Sequence, residues 1–259
     1  MKIYRKYLSI QMKSTFQYRT SFLFDIISSS LITISSLFGI LLLFENFDTV
    51  GGYTKDVVLI TYSMIHCGFA TAEMIFRGFD QFDHLVRSGE LDRLLIRPRS
   101  IFLQVLGYKV EFNKLGRIIF GIAVLIYSLI TSSIVWTAMR VVTVILMFIG
   151  SIVIFAGMFL IYSGVSIFTV EGLEVMNVIT NGGKHLCEYP IDVYSGVFRK
   201  FFTYILPLAC INYIPLQYLL GYESTTLFNA LSPLISFAFF GLCYLFFRWS
   251  ITKYKSTGS

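Results

Sequence analysis

Residues 141–169 read VVTVILMFIGSIVIFAGMFLIYSGVSIFT, without one Asp, Glu, Lys or Arg. As a helix this run reaches about 40 Å, longer than the roughly 30 Å hydrocarbon layer of a bilayer, so it spans with room to tilt. A soluble surface helix of that length needs a polar face, and none can be drawn here. Working outward, five more apolar stretches stand out: residues 21–44, 57–76, 118–136, 201–220 and 227–247. Each is continuously apolar, whereas barrel strands alternate over about ten residues. The expectation is an all-α integral membrane protein with six transmembrane helices in a single domain, residues 1–259.

Composition excludes the soluble alternative. Of 259 residues, 56% are hydrophobic and only 14% charged, against about 25% charged in ordinary soluble domains. There are too few polar side chains to clothe a water-soluble domain. No internal repeat or low-complexity tract divides the chain.

Basic residues give the orientation. Lys2, Arg5, Lys6, Lys13 and Arg19 precede the first span. Arg77, Arg87, Arg93, Arg97, Arg99, Lys109, Lys114 and Arg117 lie between the second and third. Lys184, Arg199 and Lys200 fall between the fourth and fifth, and Arg248, Lys253 and Lys255 follow the sixth. Only Lys55 and Arg140 of the 21 Lys and Arg residues remain for the other side. Positive charge stays cytoplasmic, so both termini are expected inside. The net charge of +6 is therefore a topology signal. It forms no isolated basic domain, and no nucleic-acid partner is expected. Residues 1–20 read as an interfacial helix on membrane lipids, with Ile3, Tyr7, Ile10 and Ser14 at helical spacing and a basic side beside them. The following apolar stretch is too long for a cleaved signal peptide, and no small-residue cleavage site follows it.

Catalytic chemistry finds no motif. Cys67, Cys187, Cys210 and Cys243 form no C-x-x-C pair, and His66, His84 and His185 lie on different segments. H-E-x-x-H, G-x-x-x-x-G-K and G-x-S-x-G are absent from the sequence. The chain reads as no enzyme and as holding no cofactor of its own.

The stretch between the second and third spans, residues 77–117, carries the densest charge. Its centre reads FDHLVRSGELDRLLIRP, residues 82–98. Leu85, Leu91, Leu94 and Leu95 offer an apolar side. Gly89 is placed to break a first short helix, and Pro98 to end a second. The stretch reads either as a solvated loop lying on the membrane surface or as a docking element, since charges on an amphipathic hairpin suit a groove in a cytosolic partner. Arg87, Glu90, Asp92, Arg93 and Arg97 are the candidate contacts.

This stretch, RSGELDRLLIRP at residues 87–98, resembles the loop of ABC-2-type transporter permeases. A second stretch strengthens the resemblance: EYPIDVY at 188–194, then ILP at 205–207, INYIP at 211–215 and LLG at 219–221. Together they are similar to the small six-span branch whose ATPase is a separate chain. The resemblance implies two membrane subunits, identical or paralogous, with two cytosolic ABC ATPase subunits that bind ATP and Mg. It implies export across a bacterial cytoplasmic membrane. It further implies a coupling helix between spans two and three, here residues 79–97, and broken or re-entrant helices on the outer side between the last two spans.

A second cytosolic connector is expected at residues 170–200, with helix interrupted at Gly182 and Gly183. There Tyr189, Pro190 and Asp192 offer either a second partner contact or a turn that angles the fifth span. Polar residues inside spans mark a possible pathway: His66 and Glu73 on one face of span two, with Glu73 placed to pair with Arg77. In span five, Pro207, Asn212 and Pro215 predict a break near Asn212 facing water. The Ser-rich first span suggests a closely packed helix interface. The competing class is a secondary transporter or channel without an ATPase, which predicts more buried ionisable groups mid-membrane. An intramembrane lipid enzyme would need a cluster of acids, His or metal ligands at one face; Asp25, His66 and Glu73 are too dispersed for that.

Overall fold

A computed structural model describes residues 2–169, 173–194 and 196–256. Among these, the regular structure is helical apart from a lone bridge between Val50 and Tyr53. Five helices are long and apolar enough to cross a bilayer. They are α2 (Arg19–Asn46), α3 (Lys55–Asp80), α7 (Leu115–Thr131), α8 (Ala138–Val165), and α12 (Leu227–Leu231) running on into α13 (Ile235–Lys253).

Helix α3 is the centre. Its apolar window is 83% buried, against 11% for α2. It packs on α8 and α7, and α13 packs on α8 while reaching α3 through Phe240 and Phe247. The α3–α8 crossing is close because Gly68 has no side chain: a Cβ there would lie 1.9 Å from Ser151 Oγ. In lipid the hydrophobic effect does not drive helices together, so such close backbone approach supplies the packing energy.

Before α2 stands α1 (Lys2–Gln17), separated from it by non-helical Tyr18. Tyr7 packs on Gly107, and Gln11 Nε2 donates to the Tyr108 carbonyl at 2.7 Å. Ile10, expected on the same stripe as Tyr7, is instead 63% exposed. The stripe divides because α1 spends Tyr7 and Gln11 on the protein and leaves Ile10, Met12 and Phe16 outward.

The region expected as a second connector is a correction. Its first residues, 170–172, lie outside the described ones. From Leu173 a helix, α9 (Leu173–Leu186), runs straight through Gly182 and Gly183. Gly183 is tolerated there because its bare backbone admits Leu208 and Phe202. From α9 onward the chain runs beside α3 in the reverse direction. Asn177 and Asn181 share a cleft with Asp80 and Gln81. Lys184 Nζ lies 5.2 Å from the centre of the Phe69 ring. Glu188 reaches His66, and Asp192 Oδ2 accepts from Tyr53 OH at 2.8 Å. Tyr53 precedes α3 and Asp80 ends it, so through these side-chain contacts residues 177–192 run alongside α3 from end to end. This is the fifth crossing.

The stretch expected to be the fifth span is a re-entrant pair. Helix α10 (Gly196–Lys200) continues as a π-helical turn, Phe201–Ile205, and meets the segment Leu208–Leu220 at a 75° bend. The second limb ends as α11 (Tyr213–Leu220). The pair starts near Val193, which sits against Gly51, dips to Gly183, and returns to place Gly221 beside Arg140 at the start of α8. Both ends are therefore at the same end of the bundle. The break falls at Leu206–Pro207, upstream of the expected Asn212, where Pro207 removes a backbone donor. Pro215 lies in the first turn of α11, where its missing N–H costs nothing. Asn212 itself is buried, 1% exposed. Lys184 and Arg199, with Lys200 beside it, accordingly leave the set of basic residues at the end where α3 finishes.

Candidate functional site: the hairpin after α3 and the polar interior

Beyond α3 the chain runs on into α4 (Phe82–Arg87) and, past Gly89, into a second short helix, α5 (Glu90–Leu95). Gly89 joins them at φ 68°, the left-handed region that a side chain resists. Leu85, Val86, Leu91 and Leu94 are buried, and they share one core with Phe79, Phe155, Phe159 and Phe247. Leu95, expected with them, is 36% exposed, and Ile96 is 83% exposed. The leucine side of the hairpin is thus spent inside the protein and offers no surface for a groove elsewhere.

Its charges divide likewise. Glu90 Oε2 accepts from Tyr108 OH at 2.9 Å, and Asp92 Oδ2 accepts from Ser256 Oγ at 2.7 Å. The pairing adds to burial in holding the Tyr108 phenol above its ordinary pKa; burial is the larger cause. Arg87 Nη2 lies 3.8 Å from Asp83. Outward stand Arg93, Leu95, Ile96, Arg97, Pro98 and Arg99, a basic rim around an apolar point. A short helix, α6 (Ile101–Leu106), then leads the chain back, with Gln104 Nε2 donating to the Leu94 carbonyl at 3.0 Å.

At the base of the hairpin an ion network ties α3 to the start of α7. Glu73 accepts from Lys114 Nζ at 2.8 Å and from Arg117 Nη1 at 2.9 Å. The expected Glu73–Arg77 pair is present but longer, at 3.7 Å. Arg77 instead binds Asp80 and donates from Nε to Glu111 at 3.0 Å. Burial works against the charge of Glu111, but Arg77, Lys114 and Lys109 outweigh it and hold that carboxyl below its ordinary pKa. The adjoining cleft, about 390 Å³, is lined by Glu73, Asp80, Asp83, Asn177 and Asn181 among others.

Nearer the bundle centre is a second polar group. Glu188 Oε1 takes His66 Nε2 at 2.9 Å, His185 Nδ1 at 2.7 Å and Ser36 Oγ at 3.3 Å. The Tyr62 ring stacks on His66 at 4.2 Å. Thus His66 and Glu73, read together from sequence, belong to separate clusters. Glu188 and Lys184 add buried ionisable groups that the sequence reading did not count. The missed signal was Glu188 itself: once residues 170–200 were assigned to a cytosolic loop, its carboxylate no longer demanded a buried partner. Tyr189, Pro190 and Asp192 lie at the opposite end from the hairpin. Asn212 Nδ2 holds the carbonyls of Cys187 and Tyr189 at 2.6 and 3.0 Å, so this stretch serves as a joint in the bundle.

The fold defines a multi-pass membrane protein. The family model described as ABC-2 family transporter protein matches residues 30–258, and the chain belongs to that family of ABC-2-type permeases. It is a membrane component of ABC-type transport. No curated protein and no solved structure matches the chain.

Proposed function

We propose that this chain is the permease subunit of an ATP-driven exporter, and that it receives work from a separate cytosolic ABC ATPase at the α4–α5 hairpin. The observation that carries the reading is the hairpin itself. Its leucines are anchored in the bundle while Arg93, Ile96, Arg97 and Arg99 stand outward, in a chain whose sequence has no nucleotide motif. ATP and Mg belong to the partner. The basic bias at the hairpin end favours the cytoplasm for that face, in a bacterial cytoplasmic membrane. A second permease, identical or paralogous, completes the pathway; the sparsely buried α2 favours its place there.

The test is reversal of the rim, Arg93→Glu and Arg97→Glu together. One exposed charge pair contributes only about 0–1 kcal/mol, so single changes are too small. Reversing the cluster leaves like charges facing each other at a contact, which costs several-fold more. Normal membrane abundance with lost ATPase recovery is expected. Full ATPase recovery and full transport would overturn the reading.

A further inference from the structure

A cavity of about 650 Å³ lies between α1 and the chain leaving the hairpin. Its walls are apolar at Leu8, Leu103 and Leu106, and an arginine lines it from each side, Arg5 on α1 and Arg99 after α5. The two walls are fixed to each other by Tyr7 on Gly107 and by Gln11 on the Tyr108 carbonyl. Neither arginine has an acidic partner within 4 Å among the described ion pairs. The volume is in the range of small-ligand sites. An apolar slot with two arginines and no carboxylate among its lining residues is complementary to an anionic amphiphile. Arginine matches phosphate by paired N–H donors.

The supply of such a molecule follows from position. Helix α1 enters directly into the first span and turns Ile10, Met12 and Phe16 outward among Lys6 and Lys13. That is the pattern of a helix lying in a lipid interface, where anionic headgroups gather around basic residues. We propose that this cavity holds one anionic phospholipid, with its phosphate between Arg5 and Arg99 and an acyl chain along Leu8, Leu103 and Leu106. The lipid bridges α1 to the exit of the hairpin. This proposal does not depend on the ATPase reading.

The full chain, reconstituted in nanodiscs of mixed phosphatidylglycerol and phosphatidylcholine, would be released into detergent and weighed intact by native mass spectrometry. The wild type should retain one phosphatidylglycerol, at least about tenfold over phosphatidylcholine. The Arg5→Gln/Arg99→Gln variant should lose that preference. The equally charge-depleted Lys6→Gln/Lys13→Gln variant should keep it, and Leu103→Trp, which fills the slot, should lose the lipid with both arginines intact. Equal retention of the two lipids, or equal loss in the lysine variant, would overturn the site. Displacement of the lipid by millimolar inorganic phosphate would reduce it to a plain anion site and overturn the lipid assignment as well.

Discussion

Glu188 and His66 are 122 residues apart, yet their side chains meet at 2.9 Å inside the bundle. The contact joins the fifth crossing to the central helix. Removing the carboxylate in Glu188→Ala leaves His66 Nε2 buried without this acceptor, which costs about 1–3 kcal/mol. Thermal unfolding in detergent should show a clear fall for Glu188→Ala and for His66→Ala. The double variant should be less destabilised than the sum of the two. Additive effects would mean that the contact carries no energy.

The reversed course of residues 177–192 can be read by labelling. A membrane-impermeant thiol reagent should reach Arg199→Cys from the same side as Asp48→Cys, and Arg93→Cys from the other. Labelling of Arg199→Cys together with Arg93→Cys would restore the connector that the sequence suggested.

Gly89 should resist replacement in a graded way. A side chain in the left-handed region costs about 1–2 kcal/mol, and Asn bears it best. Gly89→Val should lower ATPase recovery strongly, and Gly89→Asn slightly, at unchanged membrane abundance. Equal recovery with Val and Asn would show that the turn is not needed.

The Glu111 network has a sign that can be checked. Its carboxyl has a lower pKa folded than unfolded, so its contribution is present above the unfolded pKa and is lost as pH falls through the folded one. Stability in detergent should drop on acidification below the ordinary carboxylate range. Glu111→Gln should be less stable at neutral pH and show a shallower acid dependence. An unchanged acid profile would place the titration elsewhere.

The Gly68–Ser151 crossing offers a volume test. Gly68→Ala drives a methyl into Ser151, and overpacking of this kind costs about 1–3 kcal/mol. Ser151→Gly should recover much of that loss in the double variant, as measured by the unfolding midpoint. A further drop in the double variant would show that the side chains do not compete for one space.

Sequence reading reached the long helices and the hairpin because their signals are local. Residues 141–169 have no charge to satisfy, and Gly89 lies between two short amphipathic turns. It failed at residues 173–220, where apolarity and topology part. Residues 201–220 are apolar enough to span, but Pro207 bends them out of a crossing. The true crossing carries Lys184, His185, Glu188 and Asp192, which look like loop chemistry until Glu188 and Asp192 meet His66 and Tyr53. Helix α9 is helical through two glycines because Leu208 and Phe202 fill the space beside Gly183, a relation no local window contains. Of the candidate residues, those of the hairpin are brought together. Those proposed for a pathway fall into three separate places, because pairing partners such as Arg117 and Glu188 come from other helices.

Phe82 stacks edge-on against Phe247 at 5.6 Å, and Phe79 does so at 5.4 Å. Asp92 reaches Ser256 beyond the last helix. The hairpin is thereby clamped to α3 at its root and to α13 at its flank. Between the hairpin and the body of α3, the backbone departs from helix at Phe76 and at Gln81. If an ATPase seats on the arginine rim as proposed, the Phe79–Phe247 and Phe82–Phe247 contacts would carry its displacement to α13 as well as α3, and loosening them at Phe247 would confine the movement to the hairpin.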